Sequence, residues 1–258
     1  MKSEVQSFFK LPLEEKSMFR QKPGNLEGFG KMLVVSEEQK LDWGDIFYLT
    51  TPPNHMKKHE TMEAYSLEMH KLTMSIMGFM ARALGMKIEE IRELFDEGFQ
   101  SMRMNYYPPC PQPESVVGLT PHSNAFGMTI LLQVNEVEGL QIRKEEMWNP
   151  VKPFPNAFTI NIGDTVEIVS NGVYRNIKHK ATVNLVRERL SIATFHGAKM
   201  AGVIGPALSL INPKNVALFR SVQVEKYYKD FFARKLLGKS NLDLMRIDYE
   251  EGKSTASQ

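Results

Sequence analysis

The sequence is poor in the features that are typical of secreted, membrane and nucleic-acid-binding proteins. It contains a single cysteine, Cys110, so no disulfide can form within the chain and a reducing compartment is expected. No apolar run approaches the roughly 18 residues that a membrane-spanning helix requires, and the first residues lack the apolar segment of a signal peptide. The net charge is only +2, and no run of basic residues exceeds two. We therefore expect a cytoplasmic protein without membrane or nucleic-acid partners.

What the sequence does contain is typical of a folded domain. Hydrophobic residues make up 42% and charged residues 24% of the 258 residues. This composition and length predict one large domain, or a domain with an appendage. Cys110 lies between prolines in YYPPCPQP, where we expect a packed structural thiol rather than a nucleophile.

The first part of the chain and its end have the periodicity of helices. Apolar residues recur every three or four positions over long stretches, which is typical of helices that bury one face. Helices are predicted at 3–19, with a break at Pro12, at 60–86, at 88–98 and at 221–238. One strand is predicted within this part, at 41–49.

From residue 99 the period changes to two. Short alternating segments are separated by Gly, Pro and Asn turns, which is typical of strands. Strands are predicted at 101–107, 127–134, 139–144, 148–154, 157–170, 175–184 and 189–196. Seven strands in about a hundred residues favour an antiparallel sandwich of the jelly-roll type. The predicted fold class is α+β: a helical N-terminal region (1–98), a double-stranded β-helix (jelly-roll) core (99–199), and a C-terminal helical segment with a tail (200–258).

Two histidines in the predicted core have the spacing of a metal site. His122 and Asn124, in TPHSNAFGMTILL, would share one face of a strand, because residues two apart point the same way. His179 follows 57 residues after His122, a separation at which a jelly roll brings strands side by side. Two imidazoles and a carboxylate on one face of Fe(II), with the other positions open, is an oxygenase arrangement. On spacing alone, two ordinary histidines at strand ends remain an alternative.

Polar residues on two predicted strands indicate an anion site. Arg189 and Ser191 alternate on one strand face, and an arginine fork with a hydroxyl binds a carboxylate. Arg189 alone could be a surface charge, but if it points inward it needs an anionic partner. Asn105 and Tyr107, again two apart, are possible donors to that anion.

Six segments of the chain carry a resemblance to a known family. They are NYYPPCPQP, GLTPHS, GMTILLQVNEVEGLQI, PNAFTINIGD, NGVYRNIKHKATVN and ERLSIATFHG. In order and spacing, over residues 3–247, the chain resembles the plant 2-oxoglutarate- and Fe(II)-dependent dioxygenases, in the branch of senescence-related and O-demethylase-like proteins. The resemblance implies an iron triad at His122, Asn124 and His179, a 2-oxoglutarate clamp at Arg189, Ser191 and Tyr107 with Asn105 beside it, and a substrate wall near Arg103, Phe126 and Phe195.

The resemblance also implies a reaction. Members of the family that the chain resembles use Fe(II), 2-oxoglutarate and O₂, with ascorbate as reductant, and they convert 2-oxoglutarate to succinate. The expected activity is hydroxylation or O-demethylation of a small, largely apolar plant metabolite, by a monomer. In such an enzyme the protein positions the reactants and excludes water, and the oxidation chemistry belongs to the iron.

Three departures from the family pattern bear on activity. Asn124 stands where the family has an aspartate, so a neutral carbonyl dipole replaces an anionic oxygen. Even the loss of a contact to a metal ligand costs about 10- to 100-fold in metal affinity or activity, and this change should cost at least as much. The family's N-terminal strands and helix are expected to be absent before Met1, and the connection at 52–66 is expected to be shorter than its counterpart.

Several functional alternatives follow. The first is a working oxygenase, and the second is an inactive or weak member of the family that keeps a ligand-binding role. Halogenases of this kind place a small residue at the third metal position, so Asn124 does not favour halogenation. A jelly-roll binding module without a metal is disfavoured by the joint presence of His122, His179, Arg189 and Ser191.

Overall fold

The computed structural model of the protein describes residues 1–31, 42–51, 60–235 and 242–247. The helices are α1 (Lys2–Lys10), α2 (Leu13–Ser17), α3 (Glu60–Leu84), α4 (Ile88–Phe95), α5 (Asp164–Val169), α6 (Val224–Lys235) and α7 (Leu242–Met245), with a 3-10 turn at Leu208–Leu210. The strands are β1 (Gly28–Gly30), β2 (Asp45–Thr51), β3 (Gln100–Tyr107), β4 (Leu119–His122), β5 (Met128–Gln133), β6 (Leu140–Lys144), β7 (Met147–Pro150), β8 (Phe158–Ile162), β9 (His179–Ala181), β10 (Arg189–His196), β11 (Val203–Ile204) and β12 (Val222–Gln223).

Two antiparallel sheets form the core of the fold. The larger has six strands in the order β1-β2-β3-β10-β5-β8, and the smaller has four in the order β4-β9-β6-β7. Leu131 and Ala193 of the larger sheet pack against Leu140 of the smaller one, so the sheets face each other. This architecture confirms the predicted α+β fold with a jelly-roll core. Among the described residues, none of the helices has both the length and the apolar character needed to cross a membrane.

Side-chain alternation gives the central strands of the larger sheet two different faces. Met102 of β3 and Leu190 and Ile192 of β10 are buried on one face, where Val5 and Phe9 of α1 pack against them. Burial of each such side chain away from water stabilises the fold by about 1.5–3 kcal/mol. The intervening residues of both strands point to the opposite face, into the space between the sheets.

A second apolar core joins the helices to the sheets. Its buried members include Met77 of α3, Leu94 of α4, Met128 of β5, Ile168 of α5 and Tyr227 of α6. This packing fixes α5 beside the end of β8, next to the loop that follows β4.

The N-terminal region contributes strands as well as helices. β2 pairs with β3 along seven residues, and β1 pairs with β2, so the larger sheet continues across residue 98. The predicted strand at 41–49 is thereby confirmed in β2, and α1, α3 and α4 confirm three predicted helices. The proposed division of the chain at residues 98 and 199 remains a prediction. The connection predicted to be short, at 52–66, lies mostly outside the described residues.

The prediction of a strand over 157–170 is wrong for its second half. β8 ends at Ile162 and α5 begins at Asp164. Between them Gly163 is required by a close approach, because a Cβ atom there would lie 1.9 Å from the backbone oxygen of Phe126. Every residue of α5 is buried, its polar residues included, so these residues do not mark an exposed helical face and the sequence alone does not distinguish the two structures.

Other predicted elements extend beyond the observed ones. The strand predicted at 148–154 ends at Pro150, and that at 175–184 is reduced to the three residues that pair with β4 and β6. The helix predicted at 221–238 begins at Val224, because the two residues before it form β12. Its predicted end at 236–238 lies outside the described residues.

Candidate functional site

A cavity between the two sheets brings together polar residues from both. The larger sheet contributes side chains of β3, β5, β8 and β10, and the smaller sheet contributes side chains of β4, β6 and β9. The cavity is lined by all seven residues that the sequence assigned to metal or 2-oxoglutarate binding: His122, Asn124, His179, Asn105, Tyr107, Arg189 and Ser191.

The two histidines lie opposite each other on β4 and β9. His122 and His179 are paired in register, and their ring centroids are 4.3 Å apart. Nδ1 of His122 lies 2.8 Å from the carbonyl oxygen of Thr120, and Nδ1 of His179 lies 3.1 Å from that of Ile177. A carbonyl only accepts, so each Nδ1 carries the hydrogen, and in a neutral imidazole Nε2 then carries the lone pair. Burial lowers the pKa of His179, and nearby Arg103 lowers it further, which favours the neutral form that binds metals.

Asn124 enters the cavity from the loop after β4. The strand ends at His122, so the strand alternation expected from the sequence does not place this residue. Instead, its backbone oxygen accepts hydrogen bonds from the backbone N–H of Asp164, at 2.7 Å, and from Nδ2 of Asn176, at 3.0 Å. The side-chain Oδ1 accepts from the backbone N–H of Phe126 at 3.1 Å, and Nδ2 donates to the hydroxyl of Thr129. The loop and the amide are therefore held from both sides.

Arg189 and Ser191 line the opposite wall of the cavity. In the pairing of β10 with β3, Arg189 lies beside Tyr107 and Ser191 beside Asn105. The guanidinium carbon of Arg189 is 5.3 Å from the Tyr107 ring centroid, and Nδ2 of Asn105 donates to the Ser191 hydroxyl at 3.3 Å. Burial lowers the pKa of Arg189, whereas the neighbouring Tyr107 raises it. Burial raises the pKa of Tyr107, so the phenol is protonated at neutral pH.

This wall has a buried positive charge and open hydrogen-bonding capacity. Arg189 is 2% exposed, and its Nη2 donates to Oε1 of Gln133 at 2.9 Å. Nε of Arg189, Oδ1 of Asn105 and Nε2 of Gln133 are buried without a hydrogen-bond partner. Within the described part of the chain, no carboxylate forms an ion pair with Arg189. A buried guanidinium of this kind is complementary to an anion that enters the cavity.

Comparisons with known proteins agree with this geometry. A family model described as the 2OG-Fe(II) oxygenase superfamily matches residues 98–198, and one described as non-haem dioxygenase in morphine synthesis N-terminal matches residues 1–69. Protein SRG1 of Arabidopsis thaliana is 51% identical over 260 residues, which cover 96% of this chain and 73% of that protein. The chain belongs to the 2-oxoglutarate- and Fe(II)-dependent oxygenase family.

Further members of this oxygenase family are similarly close. Oxoglutarate-dependent flavonoid 7-O-demethylase 1 of Ocimum basilicum is 52% identical over 96% of this chain and 69% of its own length. Codeine O-demethylase of Papaver somniferum is 48% identical over 96% of this chain and 72% of its own length. The crystal structure of JOX2 in complex with 2OG, Fe, and JA superimposes with a TM-score of 0.87 at 34% identity, over 96% of this chain and 77% of that one.

The metal-ligand set of this oxygenase is met at two positions. His122 and His179 present imidazole nitrogens of the type that binds Fe(II). At the third position stands the Asn124 amide, whose oxygen already accepts a backbone hydrogen bond. Among the described residues, no group of three or more His, Cys, Asp or Glu side chains is arranged to hold a metal. The two imidazoles therefore fit a ferrous ion, and the third side chain does not.

Two of the three residues predicted for the substrate wall line the cavity. Arg103 and Phe195 do so, with the guanidinium carbon of Arg103 5.5 Å from the Phe195 ring centroid. Phe126 lies behind Phe195, at a centroid distance of 5.3 Å, and also contacts Tyr228 at 5.6 Å. Its role is to support the wall from the apolar core.

Sequence reasoning missed three polar residues of the oxygenase cavity: Thr129, Gln133 and Asn161. Thr129 and Gln133 of β5 line or contact it, with Thr129 bonded to Asn124 and Gln133 bonded to Arg189. Thr129 and Gln133 both belong to the predicted strand at 127–134 and, four positions apart, lie on the same face of it. Polar side chains that share one face of a strand that is otherwise apolar were the signal that pointed to them.

Proposed function

We propose that this chain binds 2-oxoglutarate and ferrous iron in the cavity and hydroxylates or O-demethylates a small, largely apolar plant metabolite. The observation that carries the proposal is the convergence of two chemistries in one cavity. Two imidazoles with centroids 4.3 Å apart lie on one wall, and a buried guanidinium without a carboxylate partner among the described residues lies on the other.

Each wall has a distinct task in this proposal. Arg189 and the Ser191 hydroxyl bind the carboxylate of 2-oxoglutarate that is distant from the 2-oxo group, with Asn105 and Tyr107 beside it. An arginine fork suits this contact, because two parallel N–H donors match the two oxygens of a carboxylate. His122 and His179 hold the iron, which supplies the oxidation of the substrate by O₂ when it is bound.

The substrate contacts the wall formed by Arg103 and Phe195. An aromatic ring and a guanidinium stacked on it present a flat apolar surface with a cationic edge, which suits an aromatic metabolite that carries oxygen substituents. Flavonoid 7-O-demethylase 1 and codeine O-demethylase, both about half identical to this chain, are named for O-demethylation. We assign hydroxylation or O-demethylation to this chain on that basis.

The remaining expectations belong to the same proposal. Ascorbate serves as the reductant that keeps the iron ferrous. The protein acts as a monomer in the cytoplasm, without nucleic-acid or membrane partners, in keeping with its net charge of +2.

The proposal is tested by succinate release. Purified protein is incubated with Fe(II), ascorbate, 2-oxoglutarate and a panel of methoxylated flavonoids and alkaloids, and succinate is measured against the His179→Ala variant. We expect substrate-dependent succinate above that control. If the wild type and His179→Ala released equal amounts of succinate with every substrate in the panel, and also without substrate, the result would contradict an oxygenase.

A second function is favoured by one observation, the amide at Asn124. A family member without the third carboxylate could bind 2-oxoglutarate through the Arg189 wall and turn over little. In that case 2-oxoglutarate binds in calorimetry but succinate release stays at the His179→Ala level, and Asn124→Asp raises it.

A further inference from the structure

The orientation of the Asn124 amide is fixed by the chemistry of its neighbours. The backbone N–H of Phe126 is a donor and lies 3.1 Å from one polar atom of the side chain, so that atom is the oxygen. The nitrogen is then the other atom, and it donates to the hydroxyl of Thr129. Thr129 lines the cavity together with Asn124, whereas the backbone of Phe126 lies against Gly163 and accepts from the N–H of Thr165 in α5. The amide therefore has its oxygen on the protein side and its NH₂ on the cavity side.

Reversal of this orientation would cost the amide its hydrogen bond with the backbone N–H of Phe126. Rotation of the amide by half a turn would place the NH₂ group against the N–H of Phe126, so that two donors face each other and the backbone group loses its acceptor. The loop itself is held by Asp164 and Asn176, which both donate to the backbone oxygen of Asn124. A shift of the loop that would bring the oxygen into the cavity has to break these bonds as well.

An amide nitrogen is not a metal ligand, because its lone pair is delocalised into the carbonyl and its hydrogens point outward. We propose that Asn124 is not a ligand in this chain, and that the protein supplies only His122 and His179 to a bound divalent metal. The inference rests on the proposed function, since it concerns the same metal site. The remaining coordination positions of the metal are then available to the 2-oxo acid and to solvent.

Thr129 makes the site ready to accept a carboxylate. Its hydroxyl accepts from the Asn124 amide, but a hydroxyl can equally donate. In the Asn124→Asp variant one carboxylate oxygen would keep the bond from the Phe126 N–H, and the other would receive the Thr129 hydrogen and lie on the cavity side with a lone pair to spare. The substitution therefore needs no change in the position of the loop.

Three variants of one residue test the inference by metal binding, without turnover. Co(II) is titrated into wild-type protein, Asn124→Ala and Asn124→Asp by calorimetry, and the visible absorption of the Co(II) complexes is recorded. We expect wild-type protein and Asn124→Ala to agree within about 2-fold in affinity and to share one spectrum. Asn124→Asp should bind at least about 10-fold more tightly with a changed spectrum. Weaker binding by Asn124→Ala, by about 10-fold or more, would show that the amide does ligate and would overturn the inference.

Two controls separate this outcome from failure of the proposed function. Melting temperatures identify any variant that is misfolded, and Asn124→Ser then replaces Asn124→Ala, since its hydroxyl retains an acceptor. His122→Ala must weaken Co(II) binding by the wild type or by Asn124→Asp. If His122→Ala weakens Co(II) binding in neither protein, the metal binds elsewhere, and the result contradicts both the proposed metal site and the inference. If only Asn124→Asp binds Co(II) and His122→Ala abolishes that binding, the inference stands.

Discussion

The two walls of the cavity differ in how many of the expected ligand-binding groups they provide. The anion wall, on β3, β5 and β10, has a buried cation, a hydroxyl and two buried donors without a hydrogen-bond partner, which suit the carboxylate that we propose it binds. The metal wall, on β4 and β9, carries the two imidazoles, and we propose that its third residue, Asn124, turns a donor to the cavity. Under this proposal the site keeps cosubstrate recognition while its metal affinity is reduced, because the two walls belong to different sheets.

The largest effect is expected from the anion wall. Arg189→Ala should weaken the binding of 2-oxoglutarate to metal-free protein by at least about 100-fold, because loss of one partner of a buried charge pair costs about 3–5 kcal/mol. Arg189→Lys should restore only part of the affinity, since an ammonium cannot form the two parallel hydrogen bonds. Calorimetry measures both, and an Arg189→Ala protein with wild-type affinity would show that the anion binds elsewhere.

The next effect concerns the metal wall. In the Asn124→Asp background, where the metal is held best, His122→Ala should lower the Co(II) affinity by about 10- to 100-fold or more. The same variant should leave binding of 2-oxoglutarate to metal-free protein within about 2-fold, because His122 and Arg189 lie on different sheets, on opposite walls of the cavity. A parallel loss of both affinities would show that the walls are not independent.

A smaller effect is expected from Gln133, which accepts from Arg189. Gln133→Leu keeps the size of the side chain but leaves Nη2 of Arg189 without that acceptor, so 2-oxoglutarate should bind about 10-fold more weakly, since hydrogen bonds to charged groups contribute about 1.5–3 kcal/mol. Gln133→Glu should lower the affinity for 2-oxoglutarate further, because its carboxylate would pair with the guanidinium in place of the ligand. Equal affinities in all three proteins would remove Gln133 from the clamp.

The smallest effect concerns a buried histidine outside the cavity. His196, at the end of β10, accepts or donates hydrogen bonds with Thr73 at 3.1 Å and Gln100 at 2.8 Å. Burial lowers its pKa from 6.5 to about 3, and nearby His70 adds to the shift. Between these values the unfolded chain binds a proton that the folded protein does not, so stability is lost as the pH falls below about 6.5.

This linkage can be measured by urea unfolding. Between pH 7.5 and pH 5.5 the free energy of unfolding should fall by about 1 kcal/mol more in the wild type than in His196→Gln. Other groups, such as Asp164 with its pKa raised by burial to about 6, titrate in both proteins and cancel. A variant with the same pH dependence as the wild type would contradict a neutral buried His196.

The sequence predicted the anion wall better than the metal wall, for a physical reason. Arg189, Ser191, Asn105 and Tyr107 lie within regular strands, where alternation alone assigns them to one face, and the structure places all four in the cavity. Asn124 lies beyond the end of β4, and its position depends on contacts with α5 that no local pattern encodes. The orientation of its amide depends on one backbone N–H, which sequence patterns do not report.

The errors of prediction have a related cause. The strand pattern at 157–170 was extended through α5, whose residues are all buried in the structure, so that its polar residues mark no exposed helical face. Thr129 and Gln133 were passed over because their partners, Asn124 and Arg189, lie on other segments. Resemblance to the family supplied the roles of the residues, whereas their hydrogen-bond partners required the structure.

The most direct test titrates 2-oxoglutarate into wild-type and Asn124→Asp proteins, each with and without saturating Co(II). We predict equal affinities for the two metal-free proteins and a larger gain on adding metal for Asn124→Asp, since coupling between two ligands is reciprocal. A change in the metal-free affinity, or an equal gain in both proteins, would contradict a cavity with one complete and one incomplete wall.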